Sequence, residues 1–218
     1  IGLWPRDSSL GGSTAKLAEN QNFVKEIFTK QGFSPTALNN YLTCPWKYFY
    51  QNLIRIPSVQ NKFQFYGIAI HAALQDFFIK IKENGASNGA INDFGKKFLI
   101  DSFKRVLNNS IISQGDLKEL LEKGEKALDG YYDTYHKDWH QNILTEFRIN
   151  GVILDENIIL TGVIDKIEFE GGMVNVVDYK TGKTKTRNEI MGKTKNSDGN
   201  YFRQLVFYKI LLDSLNKN

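Results

Sequence analysis

In 218 residues the chain has a single cysteine, Cys44. One cysteine excludes an internal disulfide framework and any multi-cysteine zinc or iron–sulfur site. Long apolar runs are missing as well. No stretch is long enough to span a membrane, and no signal peptide is visible, so a cytoplasmic location is the expectation. Internal repeats and low-complexity tracts are also absent. What remains is an ordinary globular composition, with 24% charged and 41% apolar residues. The length suits one large domain, or one domain with an appendage. A net charge of +4 and a pI near 8.9 point only weakly towards a polyanionic partner. The chain begins at Ile1 rather than Met, which suggests a fragment of something larger.

The first half reads as helical. Residues 1–15 form a loose linker or fragment start, with residues 16–218 as a single domain. Lys16 to Lys30 carries a weak helical pattern. Ser34-Pro35 is a helix start, with Ser as N-cap and Pro at the first helical position. Cys44-Pro45 breaks that helix, and Trp46, Tyr48, Phe49 and Tyr50 follow as an aromatic packing corner. Phe65 to Lys82 is a helix with His71, Leu74, Gln75 and Phe78 at helical spacing. After a loop over Asn84 to Asn92, two amphipathic helices are expected, Asp93 to Asn109 and Leu117 to His136. Phe94, Phe98, Phe103 and Leu107 share a face on the first, and Leu120, Leu121, Leu128 and Tyr132 on the second.

The second half turns to β-structure. Ile143 to Leu154 reads as β with Gly151 as a turn. Thr161 to Lys180 reads as a hairpin about Gly171-Gly172, a dipeptide suited to a two-residue primed turn. Counting outward from that turn pairs Glu170 with Met173, Ile167 with Val176 and Asp165 with Asp178. Period-2 alternation puts Asp165, Asp178 and Lys180 on the apolar face with Ile167, Phe169, Val174 and Val176. Lys166, Glu168, Glu170 and Asn175 take the other face. Two facing carboxylates repel, and burial worsens the repulsion. Either a cation sits between them or one is protonated. Hard oxygen donors of this kind suit Mg²⁺, and a neighbouring lysine could orient a water attacking phosphorus. A long polar loop and a helix from about Tyr201 to Leu215 close the chain.

Several motifs occur in a fixed order. They are Ser34-Pro-Thr-Ala-Leu-Asn-Asn-Tyr-Leu-Thr-Cys-Pro-Trp-Lys-Tyr-Phe-Tyr50, Gly67-Ile-Ala-Ile-His71-Ala-Ala-Leu74, Gly162-Val-Ile-Asp165, Val177-Asp178-Tyr-Lys180 and Gln204-Leu-Val-Phe-Tyr208. Together they resemble the PD-(D/E)XK nuclease superfamily, in its RecB-like branch from the C-terminal ends of bacterial helicase–nucleases. The resemblance implies an α/β fold with a restriction-endonuclease-like core: a short mixed β-sheet flanked by helices, with a helical N-terminal part. It implies His71, Asp165 and Asp178 as metal ligands and Lys180 as the catalytic lysine. Gln204 and Tyr208 would face nucleic acid or brace the site. Glu146 stands where the family often has a Glu, in a supporting position. The basic loop with Lys183, Lys185 and Arg187 would meet phosphates. The chain departs from relatives that tie this fold with four cysteines around an iron–sulfur cluster. With Cys44 alone no such cluster forms, and Cys44 is expected to be a small buried residue.

The expected function is a Mg²⁺- or Mn²⁺-dependent DNA nuclease, acting as an exonuclease on single-stranded DNA in repair or recombination. An upstream helicase in the same chain or complex is the implied partner. The other reading is a catalytically silent nuclease fold that binds DNA ends or scaffolds a helicase.

Overall fold

The structure, a computed structural model, describes residues 20–84, 90–139, 141–155 and 158–215. The described chain folds into two compact units. The first contains the residues up to Ser58, Arg148–Val163 and the chain from Thr184 onward; the second contains Val59–Phe147 and Ile164–Lys183.

In the first unit, α1 spans Gln21–Gln31 and α2 spans Pro35–Thr43. Ser34 caps α2 as its sequence anticipates: its Oγ accepts the Ala37 N–H at 3.2 Å, with Pro35 as the first helical residue. Cys44, in extended conformation, ends α2 and starts the short α3, Pro45–Tyr48, which widens into a π-turn over Phe49–Leu53. It is half-buried rather than buried, because a junction between two helix ends offers only one packed side. The aromatic corner is a core: Phe49 is fully buried and meets Trp46 and Tyr50 edge-on. The polar segment after Lys180 includes one short helix, α7 (Arg187–Ile190), which periodicity could not reveal at four residues. A Thr186–Glu189 capping box starts it. The final helix, α8, runs Asn200–Leu215. It packs Leu211 against Gly162, where a Cβ would lie 2.6 Å from the Leu211 Cδ1.

The second unit is built on three long helices: α4 (Lys62–Asn84), α5 (Ala90–Asn108) and α6 (Gln114–Tyr135). The expected 84–92 loop is therefore shorter, because α4 reaches Asn84 and α5 begins at Ala90; residues 85–89 and the side chain of Phe94 lie outside the described part, as do residues 1–19. The apolar stripes of these helices meet as the spacing predicts, with Phe77, Phe78, Phe103, Leu107, Leu120 and Leu128 buried together. Gly124 on α6 lets the Phe103 ring in; a Cβ there would be 2.0 Å from its Cζ.

The sheet has three strands in the order β1-β2-β3, with β1 at Ile143–Asp155, β2 at Ile158–Glu170 and β3 at Met173–Val177. The hairpin β2–β3 is antiparallel, and in the first unit an isolated parallel bridge pairs Phe33, outside the three strands, with Leu160 of β2. Gly151 makes no turn. The strand continues through it at φ 77°, so one residue in left-handed conformation kinks β1 without ending it. The hairpin register is the one counted from the sequence, from Glu170↔Met173 out to Lys166↔Val177. Gly171 and Gly172 both have positive φ, 56° and 80°, as a type I′ turn requires.

The hairpin strand β2 buries both faces, not the expected one alone. Ile167 on the expected face is buried, and so are Leu160, Gly162, Ile164 and Lys166 on the other, while Val174 is exposed. Lys166 explains how the second face is covered. Its stem packs along the core with its Nζ 4.1 Å from the Phe78 ring centre, and Glu168 takes the charge at 2.6 Å. Burial pushes the Lys166 ammonium down against the opposing pull of Glu168. A lysine that reads as polar-out is here a covering side chain.

Candidate metal centre and nucleic-acid interface

Every residue of the central constellation belongs to the second unit. His71 is on α4, within the apolar turn that also carries Ile70 and Leu74. Glu146 lies on β1 and Asp165 on β2. Asp178 is the first residue past β3.

The ladder stops one pair short of the carboxylates. Lys166↔Val177 is the last pair, and Asp178 leaves the strand. Two ionised side chains directly opposite each other would destabilise a further rung. The backbone of Tyr179 takes over instead. Its N–H donates to Asp165 Oδ2 at 2.8 Å, and its carbonyl lies 3.1 Å from His71 Nε2. His71 Nδ1 stands 3.5 Å from Asp165 Oδ1. One peptide residue thus fixes both the carboxylate and the imidazole.

Three side chains offer metal-ligand atoms within 4.8 Å of one another: His71, Glu146 and Asp165. One imidazole and two carboxylates form a donor set that divalent Mg²⁺ or Mn²⁺ accepts. The two carboxylates carry like charge close together, which either a protonated His71 or a bound cation offsets, so the set fits a cation. The backbone supports the same reading. Glu146 has φ 47°, left-handed geometry that a glutamate rarely adopts, near the start of a strand. Strain of that kind persists where the surrounding structure holds it, commonly at functional sites.

Asp178 stands outside the three-donor group. Its Oδ2 accepts an ion pair from Lys180 Nζ at 2.5 Å, with the Asp178 side chain only 10% exposed and that of Lys180 37% exposed. Burial pushes the Asp178 carboxyl up; Lys180 and His71 pull it back, while the charge of Asp165 adds to the rise. The hydrogen bond to Asp165 pushes the His71 imidazole up, assisted by the charges of Asp165 and Glu146 and opposed by burial.

The sign of the His71 shift gives a testable linkage. Without metal, the His71–Asp165 pair favours the fold fully below the unfolded imidazole value of about 6.5 and loses that contribution as pH rises through the raised folded value. A metal ion must displace the proton. Calorimetric Mn²⁺ titrations near pH 6.5, in buffers of different ionisation enthalpy, are expected to show proton release that fades as pH rises. His71→Gln should abolish the buffer dependence. Identical heats in all buffers for the unaltered protein would contradict the assignment.

The remaining sequence-singled residues lie elsewhere. Gln204 and Tyr208 are on α8 in the first unit, where Gln204 Nε2 donates to the Tyr208 hydroxyl at 2.6 Å. They line a cavity of about 270 Å³ with Ser34, Thr36, Arg148 and Gly162, so three of the motifs read from the sequence converge inside that unit. Lys183 ends the second unit and is exposed. In the first unit, Lys185 Nζ sits 4.4 Å from the Tyr201 ring centre, and exposed Arg187 opens α7. Sequence reasoning gave Glu146 only a supporting place and missed the Tyr179 backbone. A peptide group leaves no mark in a sequence, and Glu146 reads as one more polar residue of an alternating strand.

No helix among the described residues is long and apolar enough to cross a membrane. Compared with known families, the chain matches the PD-(D/E)XK nuclease superfamily over residues 32–218, which takes in both units and every motif residue from Ser34 to Tyr208.

Proposed function

The chain belongs to the PD-(D/E)XK nuclease superfamily, and from that premise we propose that residues 16–218 act as one metal-dependent nuclease domain hydrolysing DNA phosphodiesters. The observation that carries the proposal is the His71–Glu146–Asp165 donor group beside the Asp178–Lys180 ion pair.

In this reading His71, Glu146 and Asp165 hold the cation, and Asp178 is a further ligand as its place in the motif implies. A bound divalent cation supplies Lewis acidity to the scissile phosphate and lowers the pKa of an attacking water. Lys180 steadies that water or the charge developing on phosphorus, and Asp178 aims its ammonium. Tyr179 holds Asp165 and His71 in place through its backbone. Lys183, Lys185 and Arg187 contact phosphates, and Gln204 with Tyr208 contacts the strand or braces its path. The order of the motifs favours the RecB-like branch, hence exonuclease action on single-stranded DNA in repair or recombination, in partnership with a helicase. Mg²⁺ is the preferred ion, with Mn²⁺ as a substitute, and the site of action is cytoplasmic.

A catalytically silent DNA-end-binding module is the second reading. The pairing of Lys180 with a largely buried Asp178 disfavours it, because a binding module has no use for an aimed ammonium beside three metal donors.

Digestion of end-labelled single- and double-stranded DNA with Mg²⁺, Mn²⁺ or EDTA separates the two. Cutting is expected only with metal, and both Asp178→Ala and Lys180→Ala should lower it by about 10²-fold or more, the scale of losing one preorganised electrostatic group. Metal-independent cutting, or equal cutting by the variants, would overturn the mechanism. DNA binding with no cutting in any metal would favour the silent module.

A further inference from the structure

A cavity of about 280 Å³ opens beside the catalytic lysine within the second unit. Its floor is apolar and buried: Tyr66 and Ile70 from α4 and Leu128 from α6. Tyr131 and Tyr179 form a wall, with their rings edge-to-face at 6.2 Å. Its rim is basic. Lys180 and Lys123 both line it, with Lys123 Nζ steadied 4.7 Å from the Tyr66 ring centre. Lys123 makes no ion pair among the described residues.

The cavity is tied to the metal centre by covalent continuity. Tyr179 turns its backbone to Asp165 and His71 while its side chain lines the cavity. Lys180 both pairs with Asp178 and lines the cavity. Ile70 immediately precedes His71 on α4. An occupant of the cavity therefore borders Tyr179 and Lys180, the two residues that reach the donor group and Asp178.

The combination selects one class of occupant. An apolar and aromatic lining takes the faces of a flat ring system; the Lys123 ammonium takes an anionic group at its edge. We propose that the cavity receives the base of one nucleotide flanking the scissile phosphate, with Lys123 contacting the neighbouring phosphate. Stacking on aromatic walls is sequence-tolerant, because every base has a π-face. The enzyme then holds a base unstacked from its neighbour, which favours single-stranded ends over duplex. This inference rests on the nuclease reading.

The test moves a single abasic site, one nucleotide at a time, along a labelled single strand and maps the cuts in Mn²⁺. An abasic residue at one position beside the cut is expected to slow cleavage about 10- to 100-fold, the scale of one lost base–aromatic stack, and to have little effect elsewhere. Ala127→Trp, at an exposed α6 position on the cavity's edge, should slow cutting of intact DNA to a similar degree and erase the abasic difference. Lys123→Ala should weaken binding of intact and abasic strands alike and flatten its salt dependence. A second readout does not need cleavage: fluorescence of 2-aminopurine in a bound strand should be quenched by the unaltered protein and not by Ala127→Trp. Equal cutting at every abasic position, or unchanged quenching in Ala127→Trp, overturns the cavity proposal. If the unaltered protein binds and quenches but never cuts, the nuclease reading falls and the base site stands.

Discussion

Asp165→Asn is expected to lower metal-dependent cleavage by about 10³-fold or more while leaving the fold intact. Asn keeps the shape of Asp165 and an oxygen that can still accept the Tyr179 N–H. What it loses is charge. The donor group drops from two carboxylates to one, and His71 loses the anion beside Nδ1. Metal catalysis supplies several kcal/mol of transition-state stabilisation, and each 1.36 kcal/mol is about tenfold in rate, which sets that scale. Initial rates at saturating Mn²⁺ alongside thermal unfolding in EDTA check it. A rate within about tenfold of the unaltered protein would remove Asp165 from the chemistry. A collapsed melting temperature would make its role structural.

Glu146→Gly is expected to separate stability from activity. Glu146 is held at φ 47°, and an L-residue in left-handed geometry costs roughly 1–2 kcal/mol. Glycine removes that cost, loses the attraction to His71 along with the repulsion with Asp165, and loses about 0.5–1 kcal/mol to its own chain entropy. In EDTA the variant should therefore be more stable by roughly 0.5–1 kcal/mol, or about 1–4 °C for a chain of this length. With excess Mn²⁺ the order should reverse, because a ligand stabilises the state it binds in proportion to its affinity. Cleavage should fall with the metal affinity. Equal Mn²⁺ stabilisation of both proteins would show that Glu146 is no ligand.

The hairpin shows how far the residues alone carry the account. Gly171-Gly172 demands one turn type, and the turn fixes every pair out to Lys166↔Val177. The proximity of Asp165 to the Asp178 segment follows from counting. The helices were legible for a similar reason: a stripe of large apolar residues at helical spacing has only one way to be buried, and Ser34-Pro35 signals its own helix start. Two features were not legible. Burial of the Lys166 face depends on Phe78 arriving from a helix 88 residues earlier in the chain, and nothing near Lys166 announces it. The position of Glu146 depends on a left-handed residue inside a strand, which breaks the alternation that a reader counts on. Tyr179 acts through its peptide group, to which its side chain gives no clue. The group of three close donor atoms takes in Glu146 with His71 and Asp165, while Asp178 pairs with Lys180 beside it.

The central claim is that these three side chains, brought together from α4, β1 and β2, hold a divalent cation. Anomalous diffraction from crystals soaked in Mn²⁺ tests it most directly. The account predicts a peak within coordination distance of His71, Glu146 and Asp165, and its loss in Asp165→Asn crystals. A peak bound only elsewhere in the protein, or none at a Mn²⁺ concentration that supports cleavage, would contradict it.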